Sequence, residues 1–219
     1  MLQQVQARYG LQAPARINYW DGTRLVSVSS ALVHDLPRTR RQLYVEYPSG
    51  LRLWLNDHPS DNWVVTVAGD YVRKANSSAD LTNRIVLPPA GWAACTQSGD
   101  LFSFSALKGT NRADYLRSST YTYLDGRGYG FDAPEAASDG GLVIKPLGTN
   151  QLELIHISGQ GEFTVRRPYH VSGALATCEA FDVEGQQIAR PDCHDNGAET
   201  RIKPLEKALR YVLRFVEKR

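Results

Sequence analysis

Arg52, Trp54 and Asn56 fall at alternate positions in the stretch YVEYPSGLRLWLN, Tyr44–Asn56. Alternate side chains of an extended chain share a face, so an indole would stand between a cation and an amide. That combination suits a pyranose ring. Its C–H face stacks on a flat apolar platform while fixed polar groups hold its hydroxyls. Tyr44, on the other arm of the stretch, extends the platform. Trp20, with Tyr19 and Asn18 just ahead of Asp21-Gly22, offers a second set of the same kind. Trp54, Tyr44, Arg52, Asn56 and Trp20 are the candidate carbohydrate-binding residues. The competing expectation is that Tyr44 and Trp54 lie under a neighbouring layer, because a sandwich strand can be covered on both sides.

The outward placement of Trp54 follows from a register. A three-residue loop, Pro48-Ser49-Gly50 with Gly50 left-handed, opposes Tyr47 to Leu51, Glu46 to Arg52, Val45 to Leu53, Tyr44 to Trp54 and Leu43 to Leu55. One face then carries Leu43, Val45, Tyr47, Leu51, Leu53 and Leu55. The other carries Tyr44, Glu46, Arg52, Trp54 and Asn56. A two-residue loop slips the pairing by one and mixes the faces. The all-apolar face is expected to be core. Glu46 with Arg52 becomes a cross-strand ion pair and Tyr44 with Trp54 an aromatic pair.

Other chemistry has a weaker claim. The sequence holds no Gly-x-Ser-x-Gly elbow, phosphate loop, His-Glu-x-x-His or dinucleotide fingerprint. Its five histidines are scattered, without metal-ligand spacing. No catalytic residue is assigned and no cofactor is expected. The loops NDHPSDN (Asn56, Asp57, Asp61, Asn62) and DCHDNG (Asp192, Asp195, Asn196) carry oxygens of the kind calcium takes. Asp and Asn also populate turns for their own hydrogen bonding, which accounts for both loops without a metal. A glycosidase needs two carboxylates flanking the scissile bond. Glu46 and Glu153 are available, but nothing in the spacing brings them together, and Arg52 is the expected partner of Glu46. Cys95, Cys178 and Cys193 allow at most one bridge, with Cys178 and Cys193 the nearer pair. Reduced, buried thiols are the expectation, and bridging stays open.

These residues must be positioned by strands. Short alternating segments recur between Gly, Pro, Asn and Asp. ARINYWDGTRLVSVS reads as a hairpin on a type I′ Asp-Gly turn. NWVVTVAG puts Trp63, Val65 and Val67 on one face, and LFSFSAL sets Leu101, Ser103 and Ser105 against Phe102, Phe104 and Ala106. GLVIKPLGTNQLELIHI is two strands around Gly148-Thr149-Asn150. The last segment, KPLEKALRYVLRFVEKR, fits a helical stripe or a strand; its Leu209, Tyr211, Leu213, Phe215 alternation favours a closing strand. Many short strands with little helix predict an all-β, antiparallel β-sandwich. The Gly-, Ala- and Asp-rich stretch 125–141 reads as a linker. It divides a larger sandwich, residues 1–130, from a smaller immunoglobulin-like one, residues 140–219.

The order of short motifs resembles a β-rich region found C-terminal to catalytic modules in large bacterial glycoside-hydrolase-like proteins. The resembling pieces are INYWDGTRLV, YPSGLRLWLNDHPSDNWVV, VLPPAGWAA, LFSFSAL, ADYLRSSTYTYLDGRG and AFDVEGQQI, from Ile17 to Val183. The resemblance implies a noncatalytic β-sandwich accessory region with a polysaccharide or oligosaccharide as partner, beside an adjacent catalytic domain. It supplies no catalytic residues to carry over. A structural or self-association module is the alternative, and a glycoside hydrolase or lyase with its active site elsewhere is a third.

Composition sets bounds on partners. Lys and Arg number 25 against 23 Asp and Glu, a formal charge of +2. That balance leaves no basic footprint for nucleic acid. The Arg38–Arg41 run reads as a solvated face. No apolar run approaches the ~20 residues of a membrane span, and the N-terminus lacks a signal-peptide pattern. The sequence therefore reads as a soluble chain.

Overall fold

The Pro48-Ser49-Gly50 bend forms as the alternation requires. Gly50 takes φ 80°, where any other residue would be strained, and a Cβ there would also press on Gln97 Cβ at 3.3 Å. Tyr47 N–H donates to Leu51 O at 2.9 Å. The strands it joins pair Leu43 with Leu55, Tyr44 with Trp54, Val45 with Leu53 and Glu46 with Arg52, the register read from the sequence.

The computed structural model describes residues 1–67, 84–168, 171 and 173–216. The fold is all-β and antiparallel, a sandwich with no closed barrel. The chain parts into two compact units between Ser119 and Thr120. The first holds α1 (Leu2–Tyr9), β1 (Arg16–Trp20), β2 (Leu25–Ser27), α2 (Val28–Val33), α3 (Leu36–Thr39), β3 (Gln42–Glu46) and β4 (Leu51–Asn56). It continues with β5 (Trp63–Thr66), β6 (Arg84–Leu87), β7 (Gly91–Thr96), β8 (Leu101–Lys108) and β9 (Asn111–Ser118). Its strands order as β2-β1-β3-β4-β7-β8-β9. The β5–β6 hairpin leaves this path and is tied to β8 through Val86 and Leu107.

Alternation decides which side of each strand is covered. The hairpin turns Trp63, Val65, Ile85 and Leu87 inward, all at most 4% exposed, and leaves Val64 at 40%. In β8, Leu101 through Ala106 are all buried, so this strand is covered on both faces. Its serines are satisfied there. Ser103 Oγ donates to Tyr115 O at 2.8 Å, and Ser105 Oγ accepts from Arg112 Nε at 2.9 Å.

Two local expectations change. Asp21-Gly22 does not form a two-residue type I′ turn, because Trp20 pairs with Leu25 and four residues intervene. Asp21 Oδ1 accepts the N–H groups of Thr23 and Arg24 and the Thr23 hydroxyl. Those bonds, the Arg24 N–H foremost, hold its carboxyl down to about 2. The second expectation concerns VSVSS, which alternates like a strand but turns into α2. Ser27 Oγ accepts the Ser30 N–H as an N-cap.

The N-terminal helix is fixed by one stack and one ion pair. Tyr9 lies over Tyr47 with ring centroids 5.0 Å apart, and Arg8 meets Asp100 Oδ2 at 2.9 Å. Burial works against the Asp100 charge, but Ser98, Thr96 and Arg8 outweigh it and bring the carboxyl to about 2 from 3.8. A depressed folded-state pKa stabilises above the unfolded value and loses that contribution as pH falls through the folded one. The Asp100 contribution is therefore complete above 3.8 and lost by about 2. Asp100→Asn is expected to flatten acid unfolding between those values, measured by circular dichroism from pH ~5 downward.

The second unit holds β10 (Thr122–Asp125), β11 (Phe131–Asp132), β12 (Ala136–Ser138), β13 (Gly141–Pro146) and β14 (Gln151–His156). It closes with β15 (Phe163–Arg166), β16 (Ala174–Phe181), β17 (Cys193–Asp195), β18 (Glu199–Ile202) and β19 (Arg210–Val216). One sheet orders as β10-β13-β14-β19-β16 and the other as β11-β12-β15-β18-β17. Stretch 125–141, read as a linker, contributes β11 and β12 to this sandwich. The ambiguous last segment is a strand, with Tyr211, Leu213 and Phe215 buried. Phe163 from one sheet meets Tyr211 from the other edge-on at 5.5 Å. Leu142, Leu152, Leu154 and Ile202, each fully buried, belong to the same core.

Candidate functional site

The two faces of the β3–β4 hairpin are each covered in part: Leu51 and Val45 are buried on the apolar face, as the alternation requires, while burial also reaches the face of Trp54. Trp54 is 7% exposed, Tyr44 8% and Asn56 1%. On the opposite face Leu55 is 37% exposed and Ile17 38%. The expected open platform is therefore closed at Trp54, Tyr44 and Asn56, with Arg52 half-buried beside them. The pairings are as expected: Tyr44 and Trp54 rings lie 5.3 Å apart, and Arg52 Nε stands 3.4 Å from Glu46 Oε1. Burial, then the nearby Glu46 carboxylate, push the Tyr44 phenol up to about 12.

The β5–β6 layer packs on this side at Trp20 and at Asn56. Trp63 of that hairpin reaches Trp20 at 6.0 Å between centroids, so Trp20 is a half-buried packing partner. Asn56 anchors the same layer. Its Nδ2 donates to Leu87 O at 2.8 Å and to Asp61 O at 2.9 Å. Its Oδ1 accepts from Gln42 Nε2 at 3.1 Å and from His58 N at 3.2 Å. All four hydrogen-bonding valences of the amide are spent inside the protein. Asn56 is a structural clamp.

The partly open patch is the stretch from Tyr19 to Trp92 in a pair of rows across the strands, whose other members Ser105, Asp114, Val45 and Ala94 are buried. Tyr19 pairs with Leu43, Leu43 with Leu55, Leu55 with Trp92, Trp92 with Ser105 and Ser105 with Asp114. Beside this row runs Ile17, Val45, Leu53 and Ala94. Tyr19, Leu43, Leu53 and Trp92 are each half-buried. Tyr19 and Trp92 stand about 14 Å apart, three strand spacings. Polar groups gather beside Trp92. Arg112 Nε donates to Ser105 Oγ, and its two terminal nitrogens donate to Pro89 O and Ala90 O. The guanidinium thus ties the β6–β7 turn to β9 and fixes where Trp92 begins its strand. The turn is tight: Ala90 has φ 57°, and Gly91 N–H donates to Pro88 O at 2.7 Å. A Cβ on Gly91 would fall 2.7 Å from that oxygen.

The remaining candidates are absorbed by structure. Asp57 pairs with Arg41 at 2.8 Å and Asp61 with Arg40 at 3.2 Å. Asp195 accepts from Arg167, Thr200 and the Leu175 N–H, and Asn196 Oδ1 closes a turn on Ala198 N and Glu199 N. The side-chain oxygens of Asn56, Asp57, Asp61, Asp195 and Asn196 thus serve protein donors. Among the described residues no three His, Cys, Asp or Glu side chains converge as metal ligands. Glu153 lies 3.7 Å from Lys145 and 3.5 Å from Arg210, which places it, like Glu46, in ion pairs. Among the described residues no helix is long and apolar enough to cross a membrane.

Comparison with protein-family models, curated proteins and solved structures finds no match. The site therefore rests on its own geometry. Trp92 was the residue sequence reasoning passed over. Its signal is local, a Pro-Pro-Ala-Gly turn ahead of GWAACT, but its neighbours come from β4, 37 positions away from Trp92 at Leu55.

Proposed function

We propose that this chain is a noncatalytic carbohydrate-binding or accessory β-sandwich module of bacterial glycan breakdown, and that it takes a polysaccharide or oligosaccharide on the Trp92 face. The observation that carries this reading is the half-buried Trp92, in register across the strands with Leu55, Leu43 and Tyr19 and with Arg112 adjoining. A sheet face that ends in two aromatics and is aliphatic between them suits successive sugar rings laid across the strands. The resemblance of the turn-and-strand motifs to regions beside catalytic modules supports the same reading and adds an adjacent catalytic domain as the working partner.

Electrophoresis through gels containing single polysaccharides tests it. Retardation in at least one gel, relieved by the free oligosaccharide, is expected. Migration unaffected by every polysaccharide counts against it. A second reading, self-association, is favoured by Ile17 and Leu55, each more than a third exposed on that same face. Sedimentation velocity over a hundredfold concentration range separates the two. A monomer throughout removes the self-association reading.

A further inference from the structure

We propose that Cys178 and Cys193 form a reversible disulfide that staples the two sheets of the second unit along their shared edge. β16 is the edge strand of one sheet and β17 of the other. In each strand the cysteine points into the sandwich. Cys178 pairs with Leu213 and Cys193 with Ile202, and both partners are fully buried. The two edges are already drawn together. Leu175 N of β16 donates to Asp195 Oδ2 of β17 at 3.2 Å. Arg167 grips Asp195 at 2.8 Å and donates to Gly173 O just ahead of β16. A register irregularity between Leu175 and Thr177 offsets β16 immediately before Cys178.

The thiols lie in mutual hydrogen-bonding contact and are free. Their contact, with burial, raises the Cys178 pKa, and the same contact lowers that of Cys193. Cys193 is also the more exposed of the two. It is therefore the attacking sulfur, and Cys178 the resolving one. Cys95 serves as the contrast: it is fully buried, and burial lifts its thiol to about 11.

The oxidant is a small disulfide such as oxidised glutathione. Cys193 thiolate attacks one of its sulfurs, forming a mixed disulfide and expelling one glutathione thiolate, which takes up a proton. Cys178 loses its proton to solvent and attacks Cys193 Sγ. The Cys178–Cys193 bond forms and the second glutathione thiolate leaves. The protein dithiol is oxidised by two electrons and one small disulfide is reduced to two thiols. An excess of reduced glutathione runs both steps backward.

Folded protein equilibrated in glutathione buffers of graded ratio, trapped with acid and mapped by non-reducing peptide mass spectrometry, tests this. The expected product is one intramolecular Cys178–Cys193 disulfide. Closing that short loop should raise the protein's melting temperature by roughly 10 °C, reversed by dithiothreitol. Cys95→Ser should leave the reaction unchanged, and Cys178→Ala should stop it at a glutathione adduct on Cys193. A wild-type protein that stalls at that adduct would overturn the proposal. So would a bridge that involves Cys95, links two chains or forms only in urea. The wild-type map requires no variant to fold.

Discussion

Asn56→Ala is expected to cost the first unit about 4 kcal/mol. The side chain is 1% exposed and makes four hydrogen bonds. Truncation strands Leu87 O and Gln42 Nε2 in a dry interior, and each buried group left unpaired costs about 1–3 kcal/mol. It also releases the β5–β6 layer from β4, so the loss includes part of the contact made by Trp63, Val65, Ile85 and Leu87. Asn56→Asp should be at least as damaging, since it removes both donors and puts a carboxylate beside two carbonyl oxygens. Urea unfolding followed by tryptophan fluorescence measures both. A midpoint within experimental error of the wild type would show that the amide is not a clamp.

Trp54→Ala should cost a similar amount, about 3–5 kcal/mol, the usual range for removing a large buried aromatic. Trp54 is 7% exposed and in contact with Tyr44, so its removal opens a cavity against that ring. Trp54→Phe, which keeps an aromatic in the space, should lose no more than about half as much. Had Trp54 been an outward platform, Ala would have been close to neutral for stability. The paired midpoints therefore separate core from surface at this position.

The register of the β3–β4 hairpin was legible because it depends on neighbours in sequence. Gly50 takes the positive φ that a three-residue loop requires, and period-two alternation fixes the rest. The Glu46–Arg52 and Tyr44–Trp54 pairs follow from that register alone. Which face of the hairpin meets water was not legible, because both faces are apolar enough to be covered. Leu55 and Trp54 compete for burial. The outcome is set by non-local elements packed on the sheet, as where Trp63 of β5 meets Trp20 and Leu87 O of β6 accepts from Asn56.

The closing strand at Arg210–Val216 was legible from its alternation of large apolar residues with arginines. α2 was not, since its signal is a single capping serine inside an alternating run. The Cys178–Cys193 juxtaposition was legible only as a nearer pair in the chain. Their meeting depends on β16 and β17 lying at matching edges of two different sheets, and that is a property of topology.

The role of the open face rests on Trp92, and one comparison tests it most directly. Trp92→Ala and Trp54→Phe are run beside the wild type in gels containing whichever polysaccharide retards the native protein. Trp92→Ala should migrate as though the polysaccharide were absent while staying folded, with a urea midpoint lowered less than that of Trp54→Ala because Trp92 is only half-buried, and Trp54→Phe should keep the full retardation. Retardation that survives Trp92→Ala, or disappears with Trp54→Phe in a folded protein, would contradict the assignment.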